Sequence, residues 1–286
     1  MNPSAIGIVG SGTMGTGVAL AAAQSGLTAL LYETSQERRE RATRRIGDFL
    51  DRGQELGKLT AEAAQRTFER IEFTPRVEDM AGCCLVLEAL PEKLNLKREA
   101  FKTLDESCGG DVPLATNTSS LSVTAIAAAA KKPERILGLH FFNPAPLMAL
   151  VEVVRGERTS ERTVERAEEL VRRLGKTPVQ VSDSPGFIVN RIARPFYNEA
   201  LAILGEGNVD IETIDRVIKE AGGFRMGPFE LMDLIGVDVT YAVTESLYKA
   251  FSRDPRFRPS PIQRRMVRTG RLGRKTGQGF YAYKKS

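Results

Sequence analysis

The sequence predicts an α/β unit with a parallel-rich sheet over residues 1–183, followed by an all-α unit over residues 184–286. Three observations lead there. Short apolar runs of strand type alternate with helix-patterned segments through the first part. A glycine-rich turn joins the first strand directly to the first helix. After Asp183-Ser184-Pro185-Gly186, which offers an N-cap candidate and a proline near a first helical turn, no strand alternation returns.

The first strand is Ala5-Ile-Gly-Ile-Val9, and Gly10-Ser11-Gly12-Thr13-Met14-Gly15 follows at once. A helical stretch runs to about Ser25, then a second strand, Thr28–Tyr32, ends at Glu33. In this setting Gly10 permits the tight turn, Gly12 lets a pyrophosphate approach the backbone, and Gly15 allows close helix–strand packing. The helix N-terminus favours the anion. Glu33 stands where an acid accepts the ribose hydroxyls and repels a 2′-phosphate. The first unit is therefore expected to be of Rossmann type and to bind a dinucleotide. Arg38 and Arg39 are expected to face solvent on the next helix.

Residues 35–69 are charged and helical in pattern, and Gly53 and Gly57 predict a break into two helices. Further strands are predicted at Cys84–Glu88, Val112–Thr116, Ile136–Leu139, Leu150–Val154 and Pro178–Val181. Helices are expected at about 93–107, 121–130 and 161–174. Ligands of open parallel sheets lie at the C-terminal ends of the strands. Gly10, Glu33, Glu92, Asn117, Ser119 and His140 all fall at such ends. Ser119 is also placed to cap the next helix.

His140 is the only histidine. It ends one apolar run, and Glu152 lies inside the next, beyond the turn Asn143-Pro-Ala-Pro146. A carboxylate in an apolar strand is costly unless partnered, and His140 is the nearest candidate. An imidazole oriented by a buried carboxylate is a general-base device. The same pair would also serve simply to close a hairpin.

In the second unit, Phe187, Ile188, Ile192, Phe196, Ala200, Leu201 and Leu204 form a helical stripe, with Asn190 off it and Pro195 within it. Helices are expected at about 210–221, 227–235, 238–252 and 260–269. Gly273–Gly279 reads as a flexible turn able to bring Lys275 near a phosphate.

Composition narrows the function classes. A chain of 286 residues with 42% hydrophobic content suits two packed domains. The net charge of +5 suits an anionic ligand, but the basic residues are interleaved with acids and no aromatic–basic motif suggests nucleic acid. The three cysteines lack Cys-x-x-Cys spacing, so no metal site is expected and a reduced cytoplasmic setting fits. The alanine-rich run after Val18 is broken by Gln24, Ser25 and Gly26, so no membrane span is expected.

Several motifs in one order are familiar: the glycine fingerprint, Asn117–Ser120, Gly138–Pro144, Glu152, Pro185–Arg191, Gly227–Glu230 and Gly273–Tyr281. On these the chain resembles the L-3-hydroxyacyl-CoA dehydrogenase family, in particular its short bacterial 3-hydroxybutyryl-CoA type, essentially end to end. The resemblance implies NAD-dependent oxidation of a 3-hydroxyacyl-CoA. It implies that His140 takes the 3-hydroxyl proton, that Glu152 holds His140, and that Ser119 and Asn190 bind the reacting oxygen or the thioester carbonyl. Glu33, Glu92, Lys97, Asn117, Ser119, Asn143 and Lys275 would line the NAD site with the glycine loop, and Lys58 would lie near the CoA moiety. The helical unit would bind substrate and form a homodimer.

Alternatives are a dehydrogenase of CoA-free hydroxy acids and a non-catalytic dinucleotide-binding protein. A third is a 3-hydroxyadipyl-CoA enzyme. There Arg194, on the same helix face as Asn190, would hold the second carboxylate; otherwise it would form a surface or interface ion pair, for instance with Glu199.

Overall fold

The computed structural model describes residues 2–283, in two compact units that divide between Ser184 and Pro185. The first unit contains β1 (Asn2–Val9), α1 (Thr13–Gln24), β2 (Thr28–Tyr32), α2 (Gln36–Glu55), α3 (Ala61–Glu69) and β3 (Ile71–Thr74). It continues through β4 (Cys83–Glu88), α4 (Leu94–Ser107), β5 (Leu114–Thr116), α5 (Val123–Ala127), β6 (Ile136–Phe141), β7 (Leu150–Arg155), α6 (Glu161–Arg173) and β8 (Thr177–Ser182).

One eight-stranded sheet has the order β3-β2-β1-β4-β5-β6-β7-β8. Neighbours from β3 to β6 are parallel, β6 and β7 are antiparallel, and β7 and β8 are parallel. Strand order reverses between β1 and β4, which puts a topological switch point beside the glycine turn.

The period of two splits each strand between two cores. Ile6, Ile8, Leu85, Leu87, Leu137, Leu139, Val151 and Val153 pack with residues of α1, α2, α3 and α6. Ala5, Val9, Val86, Leu114 and Ile136 pack with residues of α4 and α5. His140 lies four residues after Ile136, so it shares the α4–α5 side of the sheet.

Strand β3 is the element the sequence reading omits. It is a four-residue edge strand, half exposed, too short for its alternation to stand out. Helix α5 is also shorter than expected. Its N-cap is Ser122, which accepts from Ala125 N, and not Ser119. Asp183, at the boundary where the sequence offers an N-cap candidate for the next helix, instead accepts from Ser122 Oγ, Val123 N and Thr124 N, fastening the end of β8 to the start of α5.

The second unit holds α7 (Val189–Glu206), α8 (Ile211–Glu220), α9 (Pro228–Ile235), α10 (Val237–Ala250) and α11 (Pro261–Arg268). Its core joins Tyr197, Ala200, Leu201, Ile214, Phe229, Met232, Val237, Met266 and Phe280. The expected stripe on α7 begins too early. Ile188 and Ile192 are exposed, and Arg194, expected in a substrate cleft or in a surface or interface ion pair, is buried. Among the described residues no helix is long and apolar enough to cross a membrane.

Two buried carboxylates set the shape of this unit. Asp215 accepts from Phe229 N and Glu230 N at the start of α9, and from Tyr281 Oη. Burial raises its pKa against the pull of those donors. Asp233 accepts from Phe280 N, Tyr281 N and Tyr283 Oη. A Cβ at Gly279 would lie 2.0 Å from Asp233 Oδ1, so only glycine lets the chain come this close. The Gly273–Gly279 segment is thus tied down, not a free turn. Removing the acceptor in Asp233→Ala would strand a buried amide, a part-buried amide and a part-buried hydroxyl. Its expected cost is about 3 kcal/mol in urea unfolding, with new protease sensitivity near Phe280.

Candidate active site

The glycine turn has the shape its sequence predicts. Gly10 has φ +104°, and a Cβ on Gly15 would sit 1.9 Å from Gly10 O, so the first turn of α1 closes directly over the end of β1. Gly12 and Thr13 are exposed, Met14 is half-buried, and nothing lies within 4 Å of a Cβ built on Gly12. No side chain caps α1 at Gly12. The N-terminus of α1 therefore faces open space, as a phosphate site requires.

Glu33 ends β2 beside this turn and is nearly buried. Ser11 Oγ donates to its Oε2 at 2.9 Å, and Ser35 N donates to its Oε1 at 3.1 Å. Arg38 is exposed, as expected, and its Nη1 also stands 3.9 Å from Glu33 Oε1. Arg39 is half-buried, with its Nε enclosed and unpartnered.

A second cluster forms where β4 and β5 end. Glu92 Oε1 accepts from Thr118 Oγ1 at 2.5 Å, Ser119 N at 3.0 Å and Ser120 N at 3.2 Å. The hydroxyls of Ser120 and Ser119 stand 3.3 and 3.5 Å from the same oxygen. Asn117 Oδ1 accepts from Phe141 N, bridging the end of β5 to β6. Lys97 is different. It has no exposed surface, so it does not line an open cofactor site as expected from the resemblance. Its ammonium is held inside by Glu88 and Leu90 O.

His140 and Glu152 are direct cross-strand partners in the antiparallel ladder of β6 and β7. His140 Nδ1 lies 2.7 Å from Glu152 Oε2, and both side chains are buried. An ionised carboxylate can only accept, so Nδ1 carries the proton and Nε2 is left as the basic nitrogen. The Phe142 ring stacks obliquely at 4.4 Å from the imidazole centroid. Asn143 is exposed on the connecting loop. Lys176 supports that loop from beneath, donating to Ala145 O at 2.6 Å and Met148 O at 2.8 Å. Burial holds its pKa below the ordinary lysine range.

The remaining candidates lie elsewhere. Lys58 is exposed after α2. In the second unit, Asn190 is half-buried at the start of α7. Arg194 is 2% exposed, donates to Thr240 O at 2.9 Å, and stacks 4.8 Å from the Tyr197 centroid, with no carboxylate of the described residues in salt-bridge range. Burial lowers its pKa to about 10. The expected surface pair with Glu199 is not formed. Lys275 donates to Asp238 Oδ2 at 2.7 Å.

Residues 5–184 match the family described as "3-hydroxyacyl-CoA dehydrogenase, NAD binding domain", and residues 186–283 match "3-hydroxyacyl-CoA dehydrogenase, C-terminal domain". The chain belongs to the 3-hydroxyacyl-CoA dehydrogenase family. It is 43% identical, over 97% of its length and 99% of the relative's, to the probable 3-hydroxybutyryl-CoA dehydrogenase of Deinococcus radiodurans. It is 47% identical to the 3-hydroxyadipyl-CoA dehydrogenase of Escherichia coli K12, covering 99% of this chain but spanning only 60% of that protein. The crystal structure of the (S)-3-hydroxybutyryl-CoA dehydrogenase of Ralstonia eutropha superposes with a TM-score of 0.92 at 42% identity, over 99% of this chain and 100% of that one.

In this chain the glycine turn fits the family's cofactor. The open space over Gly12, the uncapped start of α1 and the adjacent Glu33 carboxylate are what NAD needs. Sequence reasoning missed Glu88, Thr116 and Lys176, which bear on the site from beneath. The signal for Glu88 and Lys176 was present, since charged residues at strand ends flanked by apolar runs are enclosed, but no spacing rule names their partners, and Thr116 carries no charge to mark it.

The proximity of Arg38 to Glu33 yields a cofactor prediction. Glu33→Ser should remove the acid and free the guanidinium for a 2′-phosphate. NADPH affinity relative to NADH should rise at least about tenfold by fluorescence titration, and Arg38→Ala in that background should return it.

Proposed function

We propose that this chain catalyses reversible NAD-dependent oxidation of a short-chain (S)-3-hydroxyacyl-CoA to the 3-oxoacyl-CoA. The observation that carries the reading is the buried His140–Glu152 pair, with its basic Nε2, on the sheet that bears the dinucleotide turn. Bound NAD supplies the hydride acceptor. His140 Nε2 takes the proton of the 3-hydroxyl, and Glu152 stabilises the imidazolium that forms. Ser119, held through its backbone by Glu92, supplies a hydroxyl for the reacting oxygen. Asn190, from the helical unit, is assigned the same oxygen or the thioester carbonyl. Glu33 accepts from the ribose, and Glu92, Asn117, Asn143 and Lys275 are assigned to the cofactor and Lys58 to CoA. The reading places the enzyme in the cytoplasm, acting in fatty-acid β-oxidation or a related acyl-CoA route.

The name of the E. coli relative favours a second substrate reading, a dicarboxylic 3-hydroxyadipyl-CoA. Arg194 gives it no support from its present setting, because its guanidinium is enclosed and already donating to Thr240 O. The proposed homodimer is supported by the apolar side chains that the helical unit leaves exposed, among them Ile192, Val217, Phe224 and Val239. Sedimentation should give twice the 31.4 kDa chain mass, and a monomer at micromolar concentration would refute the dimer.

His140→Gln should lower kcat at least about 10²-fold with NADH affinity nearly unchanged, and Glu152→Gln should also lose activity. Near-normal turnover in His140→Gln would take His140 out of the mechanism. NADH oxidation should be faster with acetoacetyl-CoA than with 3-oxoadipyl-CoA or free 3-oxo acids. Arg194→Met should alter the two CoA substrates equally; selective loss on the dicarboxylate would instead favour the second reading.

A further inference from the structure

Lys176 is buried, and its ammonium donates to carbonyls, with no carboxylate of the described residues in salt-bridge range. Taking an unpaired ammonium out of water is costly, so its place calls for a reason beyond stability. The root of the side chain is rigid. Helix α6 ends at Gly175, which has φ +69° and donates from its N to Arg172 O, while Lys176 N donates to Val171 O. These two bonds are the paired closure of a helix C-terminus. The next residue already belongs to the sheet, with Thr177 N donating to Ala149 O. From this fixed stem Nζ reaches Ala145 O at 2.6 Å and Met148 O at 2.8 Å. Both carbonyls lie on the loop between β6 and β7, where Leu147 N and Met148 N close a turn on Pro144 O. That loop has a second support. A Cβ on Gly17 of α1 would stand 3.3 Å from Ala145 Cβ and 3.7 Å from Pro146 Cδ, so the loop lies against the helix that carries the dinucleotide turn. Ala145 is only 1% exposed between the two supports, while Asn143, two residues earlier, is exposed.

We propose that Lys176 is a positioning residue for the cofactor site: by holding Ala145 O and Met148 O it keeps the 143–148 turn against α1, and so presents Asn143 from a fixed place. Packing of Ala145 on Gly17 alone would leave the turn free to slide along the helix. Two charge-assisted bonds to carbonyls three residues apart fix both its position and its rotation. An apolar side chain of the same length would fill the space and make neither bond. The dyad does not depend on this support, because the β6–β7 ladder sets His140 opposite Glu152.

This rests on the assignment of Asn143 to the cofactor made above, so the first readout needs no cofactor. Lys176→Met keeps the apolar stem and leaves no buried charge behind, which keeps it foldable. In the cofactor-free protein, the amides of Leu147 and Met148 should exchange with deuterium at least about tenfold faster than in wild type, while the amides of β6 and β7 do not change. The second readout is NADH binding by fluorescence titration. Lys176→Met should weaken it about tenfold, Asn143→Ala should weaken it by a similar factor, and adding Lys176→Met to Asn143→Ala should cost less than about twofold more. Unchanged exchange at Leu147 and Met148 would overturn the proposal. So would full NADH affinity in Lys176→Met where Asn143→Ala weakens it. A loss that persists in full beside Asn143→Ala would also overturn it, because Lys176 would then reach the cofactor by another route. Faster exchange with no effect of Asn143→Ala alone would uphold the fixing of the turn and count against Asn143 as a cofactor ligand.

Discussion

Burying Glu152 inside an apolar strand is tolerable because His140 lies directly across the ladder from it. Leaving either member alone in the core would cost about 3–5 kcal/mol, so the pair holds the β6–β7 register in place. A slip of one residue would turn every side chain of one strand to the other face. Val151 and Val153 would then leave the core they share with α1 and α6. The chemistry and the packing of this edge are therefore satisfied by one alignment. The antiparallel turn-back of β7 brings a second strand's carboxylate to the end of the sheet where the parallel strands deliver the glycine turn, Glu33 and Glu92.

The same solution recurs across the molecule. Carboxylates at the ends of strands and helices act as collectors of nearby donors. Glu33 gathers Ser11 and Ser35, Glu92 gathers the 118–120 turn, and Asp183 gathers the first turn of α5. Asp215 and Asp233 do so in the helical unit. Each joins segments far apart in sequence through a few strong, charge-assisted bonds. Lys176 is the cationic counterpart, with carbonyls as its partners.

Much of this was legible in the sequence because it is periodic or local. The alternation of apolar runs located seven of the eight strands, and the glycine fingerprint announced its own geometry down to the open space at Gly12. The histidine's uniqueness and the isolation of Glu152 in an apolar run pointed to each other. What was not legible was the pairing of charges across sequence distance. Lys97 reads as one more helix-face lysine, yet the helix turns it inward onto Glu88. Arg194 reads as half of an exposed pair, yet α7 buries it against Tyr197 and a carbonyl. Asp183 has the local context of a cap for the following helix, and tertiary structure gives it to α5 instead. Side-chain periodicity states which face a residue occupies, not who waits on that face.

The cross-strand seating of His140 and Glu152 separates the distance within the dyad from the loop that joins them. Ladder hydrogen bonds set the spacing, while residues 142–149 return the chain, lay Phe142 on the imidazole and are fastened by Lys176. Lengthening, shortening or replacing that connection leaves the cross-strand placement of His140 unchanged. A sheet built this way can exchange the sequence of that loop while the His140–Glu152 pair is kept intact.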